Sequence, residues 1–76
     1  MVRSDADRLR TYLEGGGYAP VREREVYRLT MVDGLSLWHT ARTLGIGFET
    51  VREYLSRLRR RVADAARAHE DDRRAA

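Results

Sequence analysis

The sequence predicts an all-α domain of about four helices. Apolar residues recur at intervals of three and four along four separate stretches, as they do on one face of an α-helix. Glycine-containing segments at residues 15–17, at Gly34 and at Gly45 separate these stretches, and glycine is a common helix terminator. No stretch shows the strict alternation of apolar and polar residues that is typical of a half-buried strand. These three observations together favour the all-α class.

The composition limits the function classes. The chain has 76 residues, enough for one small domain whose single core is only marginally sufficient. Cys and Lys are absent, and neither His has a paired carboxylate constellation or metal-ligand spacing, so we expect no enzyme, no metal and no cofactor. No apolar run approaches the length of a membrane span or a signal-peptide core, so we expect a cytoplasmic protein that does not bind a membrane.

The first helix is predicted over residues 4–14. Ser4 can cap this helix, and two acidic residues in its first turn favour the positive end of the helix dipole. The glycines at 15–17 end it, because three consecutive glycines lose too much backbone entropy to stay helical. The sequence leaves open whether this helix packs on the core or moves on the glycine linker. Its apolar face consists of Ala6, Leu9, Tyr12 and Leu13.

The second helix is predicted over residues 20–33. Pro20 suits the first turn, where its missing N–H is no loss. The charged run at residues 22–26 is typical of a solvated face. Asp33 and Gly34 end the helix, since Gly34 can adopt the left-handed cap conformation. The buried stripe is predicted to contain Val26, Leu29, and either Thr30 or Val32.

The third and fourth helices are predicted over residues 36–44 and 47–69, with Ser36 as the cap of the third and a frayed tail at 70–76. Gly45 between them can adopt a positive φ without strain, and Ala41, four residues earlier, lets two helices cross closely. Apolar residues flank the turn where such a pair buries its core. This combination predicts a helix-turn-helix with a long C-terminal recognition helix; an αα-hairpin without a ligand is the alternative. The flanking apolar residues are Leu44, Ile46, Val51 and Leu55.

The distribution of charge favours a DNA-binding function over a hairpin without a ligand. All fifteen basic residues are Arg, and the net charge is +3. Residues 1–46 contain seven Arg and six acidic residues, residues 47–62 contain five and two, and residues 63–76 contain three and four. The basic excess therefore lies in the fourth helix, which is the element that a helix-turn-helix presents to DNA.

The fourth helix also carries a heptad pattern, since its apolar positions are spaced 4, 3, 4, 3 and 4 residues apart from Val51 to His69;. Val51, Leu55 and Leu58 are predicted to be core. The later positions have no obvious partner in so short a chain, so either the first helix or a second chain would cover them. The candidate dimer seam comprises Leu58, Val62, Ala65 and His69.

Several further motifs lie between residues 20 and 62. They are Arg22-Glu23-Arg24-Glu25-Val26, Arg28-Leu29, Asp33-Gly34-Leu35-Ser36, Ala41, Leu44-Gly45-Ile46, Thr50-Val51 and the run Ser56 to Val62. With them the chain resembles DNA-binding domain 4 of bacterial sigma factors and, nearly as closely, the LuxR-type response-regulator domain. The sigma pattern aligns without a gap, whereas the LuxR pattern requires one residue to be removed before Gly34. The resemblance implies double-stranded DNA as the partner, with RNA polymerase as a further candidate.

The chain departs from these families at two places. His39-Thr40 stands where the family usually has Glu-Ile, so a hydroxyl replaces a buried aliphatic group; Thr40 can bond a carbonyl oxygen in the preceding turn, which preserves the helix but weakens the packing. Gly47 stands where a Ser usually caps the recognition helix. The other domains of a sigma factor and the fourth helix with which LuxR-type domains dimerise are not recognised. We therefore expect that the chain is not a complete sigma factor.

The fourth helix is predicted to enter the major groove with its first two turns. Arg52 is the preferred base contact, bidentate to guanine, and its alternative is an ion pair with Glu49. Glu53 is expected either to accept a hydrogen bond from the amino group of cytosine or to hold Arg57, one turn further on, by a side-chain contact. Phe48 is expected either to touch a thymine methyl or to lie against the third helix. The predicted base-contacting residues are Phe48, Glu49, Arg52, Glu53 and Ser56.

Side chains that flank the groove are predicted to contact phosphates. Trp38 is predicted to pack in or beside the core, although its indole N–H could reach a phosphate, and His39 is predicted at the surface. We predict a sequence-specific double-stranded DNA-binding protein, a small transcriptional regulator that acts as a homodimer. The alternative is a sigma-like protein-interaction module that binds RNA polymerase or another regulator. The predicted phosphate-contacting residues are Ser36, Arg42, Thr50, Arg57, Arg59 and Arg60.

Overall fold

A computed structural model describes the backbone of residues 4–75 and the side chains of residues 4–68. This part of the chain contains four α-helices and no strand: α1 (Asp5–Glu14), α2 (Val21–Tyr27), α3 (Leu37–Leu44) and α4 (Phe48–Ala75). A π-helical segment, Arg28–Val32, continues α2. The predicted all-α class with four helices is therefore confirmed.

The helix termini follow local capping rules. The Ser4 Oγ accepts a hydrogen bond from the Asp7 N–H over 3.2 Å at the start of α1, and the Ser36 Oγ accepts one from the His39 N–H over 3.1 Å at the start of α3. Pro20 precedes the first residue of α2 rather than lying in its first turn. Both predicted serine caps are confirmed.

The last helix is longer than the sequence pattern predicts. The expected frayed tail at residues 70–76 is instead helical as far as Ala75, six residues beyond the predicted end at residue 69. That prediction stopped where the apolar spacing stops. A solvent-exposed helix needs no apolar face, however, and the residues after Val62 are rich in Ala and Arg, which have high helix propensity.

The second helix widens at its C-terminal end. In the π-helical segment the Asp33 N–H donates to the Arg28 carbonyl oxygen over 2.8 Å. The Thr30 Oγ1 donates to the Val26 carbonyl oxygen over 2.7 Å and is half-buried, whereas Val32 is 62% exposed. Thr30 rather than Val32 therefore continues the buried stripe.

One cluster of buried residues joins α2, α3 and α4. It consists of Val26, Ala41, Val51 and Leu55, and Val26 and Val51 are completely buried. Thr40 is also completely buried, and its Oγ1 donates to the Ser36 carbonyl oxygen over 2.9 Å. The hydroxyl that replaces the expected aliphatic group is therefore satisfied within its own helix.

A second cluster fixes α1 against α4. Leu9 is 1% exposed and Leu58 is completely buried, and they share this cluster with Ala19. The Tyr12 hydroxyl donates to the Tyr18 carbonyl oxygen over 2.7 Å, which ties the end of α1 to the segment beyond the glycines. The first helix therefore packs on the core.

This packing corrects the candidate dimer seam. Leu58 is covered by α1 and is not accessible to a second chain, so it does not belong to the seam. Val62 is half-buried beside the same cluster, and Ala65 is exposed. The side chain of His69 lies outside the described residues. The accessible part of the predicted seam is reduced to Val62 and Ala65.

Candidate nucleic-acid interface

The α3–α4 pair forms two helices joined by a three-residue turn at residues 45–47. Gly45 has a φ of 66°, in the left-handed region, which a side chain with a Cβ adopts only with strain. The Ile46 N–H donates to the Ala41 carbonyl oxygen over 3.0 Å and closes the turn. Because the buried Ala41 and Val51 hold the two helices together, the first turns of α4 have a fixed orientation.

The first two turns of α4 have a buried side and an outward side. Val51 faces the core, whereas the outward positions at spacings of three and four residues lie on the opposite side. Four of the five predicted base-contacting residues are exposed there, and the fifth, Phe48, is half-buried. We call the four exposed residues the outward face of α4; it comprises Glu49, Arg52, Glu53 and Ser56. Phe48 is three residues before Val51 and lies beside the buried side of the helix.

Two ion pairs lie on or beside the outward face. An Arg52 guanidinium nitrogen lies 3.7 Å from the Glu49 Oε1, and an Arg57 guanidinium nitrogen donates to the Glu53 Oε1 over 2.6 Å. In both pairs each side chain is about half exposed or more. Exposed pairs of this kind contribute only about 0–1 kcal/mol. Each Arg can therefore exchange its carboxylate for another anion at little cost.

The Trp38 and Phe48 rings stack at the N-terminal ends of α3 and α4. Their centroids are 4.2 Å apart and their planes differ by 20°. Phe48 thus lies against the third helix, but Trp38 is 70% exposed. The prediction that Trp38 packs in or beside the core is wrong, because the buried side of α3 is occupied by Thr40 and Ala41 and position 38 falls outside it;. The result is an aromatic pair in which Trp38 is exposed and Phe48 is half-buried.

The predicted phosphate-contacting residues occupy both flanks of α4. Ser36 and Arg59 line a cleft on one flank together with Arg52 and Ser56. Thr50 and Arg57 are seven residues apart and share the other flank, where Thr50 is half-buried;. The structure therefore places four of the six predicted residues in two groups beside opposite flanks of α4. Arg42 lies on α3, and Arg60 lies between the flanks on the outward side of α4;.

The predicted phosphate-contacting arginines differ in their partners. Among the described residues, Arg42 and Arg60 are exposed and form no ion pair. The Arg59 Nε lies 3.3 Å from the Asp5 Oδ2 of α1. The Ser36 Oγ is engaged by the His39 N–H and lies 3.0 Å from the His39 Nδ1. Arg42 and Arg60 are thus the most available cations.

Arg61 has a structural contact that the sequence reasoning missed. It pairs with Glu23 of α2, which is only 3% exposed, so the expectation of a fully solvated run at residues 22–26 is wrong at this position. The two residues are 38 positions apart, and no local pattern connects them. With Asp5 and Glu23 counted beside Arg59 and Arg61, the excess of +3 over residues 47–62 falls to +1.

No group of three His, Asp or Glu side chains in the described part of the chain could hold a metal ion. No helix in the same part combines the length and apolar character needed to cross a bilayer. Comparison of the chain with protein-family models, curated proteins and solved structures found no significant match.

Proposed function

We propose that this chain is a sequence-specific double-stranded DNA-binding protein, a small transcriptional regulator that inserts the first two turns of α4 into the major groove. The observation that carries the proposal is the outward face of α4. It presents Glu49, Arg52, Glu53 and Ser56 to solvent on a helix whose opposite side is held by buried core residues. An α-helix presented in this way fits the width of the major groove.

Arg52 is the residue that we expect to contribute most to base recognition. Its side chain is 60% exposed, and its contact with Glu49 is long at 3.7 Å. A guanidinium can bond the O6 and N7 atoms of guanine at the same time, and a good bidentate contact contributes about 1–3 kcal/mol of discrimination. An exposed ion pair contributes less than that. We therefore expect Arg52 to leave Glu49 and contact the base when DNA is present.

The flanking residues would contact the DNA backbones. Arg57 and Thr50 lie on one flank of α4, whereas Arg59 and Ser36 lie on the other, and a helix in the major groove has a phosphate backbone on each side. Arg42 and Arg60 add exposed cations. If four to six phosphates are neutralised, log K should fall with log salt concentration with a slope of roughly −4 to −5.

Selection of bound sites from random duplex DNA, followed by affinity measurements at several salt concentrations, tests this proposal. We expect enrichment of one sequence and the stated slope. Arg52→Ala should reduce the preference for the selected sequence, whereas Arg67→Ala removes the same charge from a later, exposed part of α4 and should preserve the preference. Failure to enrich a sequence, or a slope near zero, would contradict the proposal.

A homodimer is part of the proposal, because one module of this size buries little DNA surface and two half-sites increase affinity. Val62, Ala65 and Ala66 line an exposed groove between α1 and α4 that a second copy would cover. Sedimentation of the full chain should give twice the monomer mass, and Ala65→Arg should return it to the monomer mass. A palindromic selected site would agree with the dimer, and a monomeric wild-type chain would contradict it.

A second candidate function is a protein-interaction module that binds RNA polymerase or another regulator. The Trp38–Phe48 pair, in which Trp38 is exposed, favours it, because exposed aromatic residues are common anchors of protein interfaces;. If the chain is a protein-interaction module, its affinity for DNA should be low. Arg52→Ala would leave the affinity for purified RNA polymerase unchanged, and Trp38→Ala would lower it. Absence of binding to purified RNA polymerase, together with sequence-specific DNA binding that Arg52→Ala weakens, would support the DNA-binding function instead.

A further inference from the structure

We propose that Phe48, supported by Trp38, contacts the 5-methyl group of thymine and gives the protein a preference for thymine at one position of its site. This inference rests on the proposed function. Trp38 is the residue that positions the Phe48 ring.

Phe48 lies at the start of α4, where Trp38 supports its ring. Phe48 is the first residue of α4, directly before Glu49 on the outward face. Its ring stacks on Trp38 at a centroid distance of 4.2 Å, yet it remains only half-buried. The stack restricts the ring before any ligand binds, so that little side-chain freedom is lost on binding. A partly exposed, pre-oriented apolar group therefore lies at the end of α4 that the proposed function places against the bases.

Thymine differs from the other bases in the apolar surface that it presents in the major groove. A phenyl ring offers no strong hydrogen-bonding group. In the major groove, thymine alone of the four bases presents a methyl group, whereas adenine, guanine and cytosine are distinguished by their hydrogen-bond donors and acceptors. An apolar ring placed over those donors and acceptors would remove water from them without replacing its hydrogen bonds, which is unfavourable. Thymine is thus the base that this ring fits.

The surroundings of the aromatic pair agree with a DNA ligand. The groove beside the pair is also lined by His39, Arg42 and Ile46, and no carboxylate lines it in the described part of the chain. Arg42 is exposed, and its guanidinium can donate hydrogen bonds to a phosphate that flanks the contacted thymine;. The pair adjoins the outward face of α4, so a duplex that contacts Arg52 also approaches Phe48.

The test uses the full chain and pairs of duplexes of the selected sequence, which differ only in carrying thymine or uracil at one position; each thymine position is exchanged in turn. Uracil lacks only the methyl group. At the position of the contacted methyl, wild-type protein should bind the uracil duplex roughly fourfold more weakly. Phe48→Ala should bind the thymine duplex more weakly and bind both duplexes of that pair equally. Trp38→Ala should reduce the discrimination, whereas Trp38→Phe should preserve it because the stack is retained.

Each outcome has a distinct meaning once circular dichroism has established that the variants are helical. Equal binding of both duplexes of every pair by the wild-type chain would overturn this inference and leave the proposed function intact. Discrimination that persists at every such position in Phe48→Ala would also overturn it, since another residue would then contact the methyl. Absence of binding to any duplex would overturn both proposals. Arg67→Ala serves as the matched control and should discriminate like the wild-type chain.

Discussion

Glu23 of α2 and Arg61 of α4 form a two-point ion pair. The Arg61 Nε donates to the Glu23 Oε1 over 2.9 Å, and the Arg61 Nη2 donates to the Glu23 Oε2 over 3.3 Å. The hydrogen bond to Glu23 raises the pKa of Arg61, while desolvation opposes this shift. A raised folded-state pKa means that the contribution of Arg61 to stability is present at neutral pH and is lost on the basic side only as the pH rises through that pKa. Arg61 therefore stabilises the contact between α2 and α4.

Replacement of Arg61 and of its neighbour Arg60 should separate stability from DNA binding. Arg61→Ala leaves the buried carboxylate of Glu23 without its cation, so we expect the thermal midpoint to fall by about 4–8 °C. Arg60→Ala removes an exposed side chain and should leave the midpoint unchanged. Under the proposed function only Arg60→Ala should weaken DNA binding by folded protein. Equal midpoints for the two variants would show that the Glu23 contact does not stabilise the fold.

The contact between α1 and α4 should depend on Leu9. This residue is 1% exposed and packs in the cluster that contains Leu58. Leu9→Ala should lower the free energy of unfolding by about 2–5 kcal/mol and should accelerate proteolytic cleavage near residues 15–17. Leu13→Ala, at a half-buried position of the same helix, is the control and should have a smaller effect. Similar effects of both variants in urea denaturation would contradict the assigned role of Leu9.

The same substitution at two glycines of the α3–α4 turn should have opposite effects. Gly47 precedes α4, has no positive φ, and has room for a Cβ, which would lie 3.7 Å from the Thr50 Oγ1. Gly47→Ser should supply an N-cap hydroxyl and raise the free energy of unfolding by a few tenths of a kcal/mol. Gly45→Ser should lower it by about 1–2 kcal/mol, because φ is 66° there;. Chemical denaturation measures both changes, and equal signs would refute the assignment of the cap and the left-handed residue.

Local rules were sufficient for much of the fold. The caps at Ser4 and Ser36 and the left-handed Gly45 depend on groups within a few residues, and sequence spacing identifies such groups directly. Counting outward from Val51 also identified four exposed residues in the first turns of α4, but the fifth predicted residue, Phe48, is half-buried. Their contacts with DNA stay predictions.

The remaining features depend on how the helices dock. Glu23 and Arg61 are 38 residues apart, and their contact follows from the placement of α2 on α4. The exposure of Trp38 follows from the rotation of α3 about its own axis, which its short sequence left undetermined. The contact of Asp5 with Arg59 follows from the placement of α1 on α4. It brings a carboxylate from α1 to the edge of the candidate interface.

Removal of the Asp5 charge should strengthen DNA binding under the proposed function. The Asp5 Oδ2 lies 3.3 Å from the Arg59 Nε, beside the cleft that Arg59 shares with Arg52. A carboxylate at this place competes with a phosphate for Arg59, so Asp5→Asn should raise the affinity and make the log–log salt slope steeper by roughly one. The pair is exposed, with side-chain exposures of 48% and 62%, so the thermal midpoint should change little.

Asp7→Asn is the matched control for Asp5→Asn. Asp7 lies in the same first turn of α1 and has the same relation to the helix dipole, but it pairs with Arg10 of its own helix at 3.2 Å. Both variants change the net charge equally, so a purely long-range effect would raise DNA affinity equally in both. A larger rise in affinity and a steeper log–log salt slope for Asp5→Asn than for Asp7→Asn would show that the Asp5 carboxylate competes with a phosphate for Arg59. Equal values for the two variants would show that the contact between α1 and α4 does not regulate access to this flank of the helix.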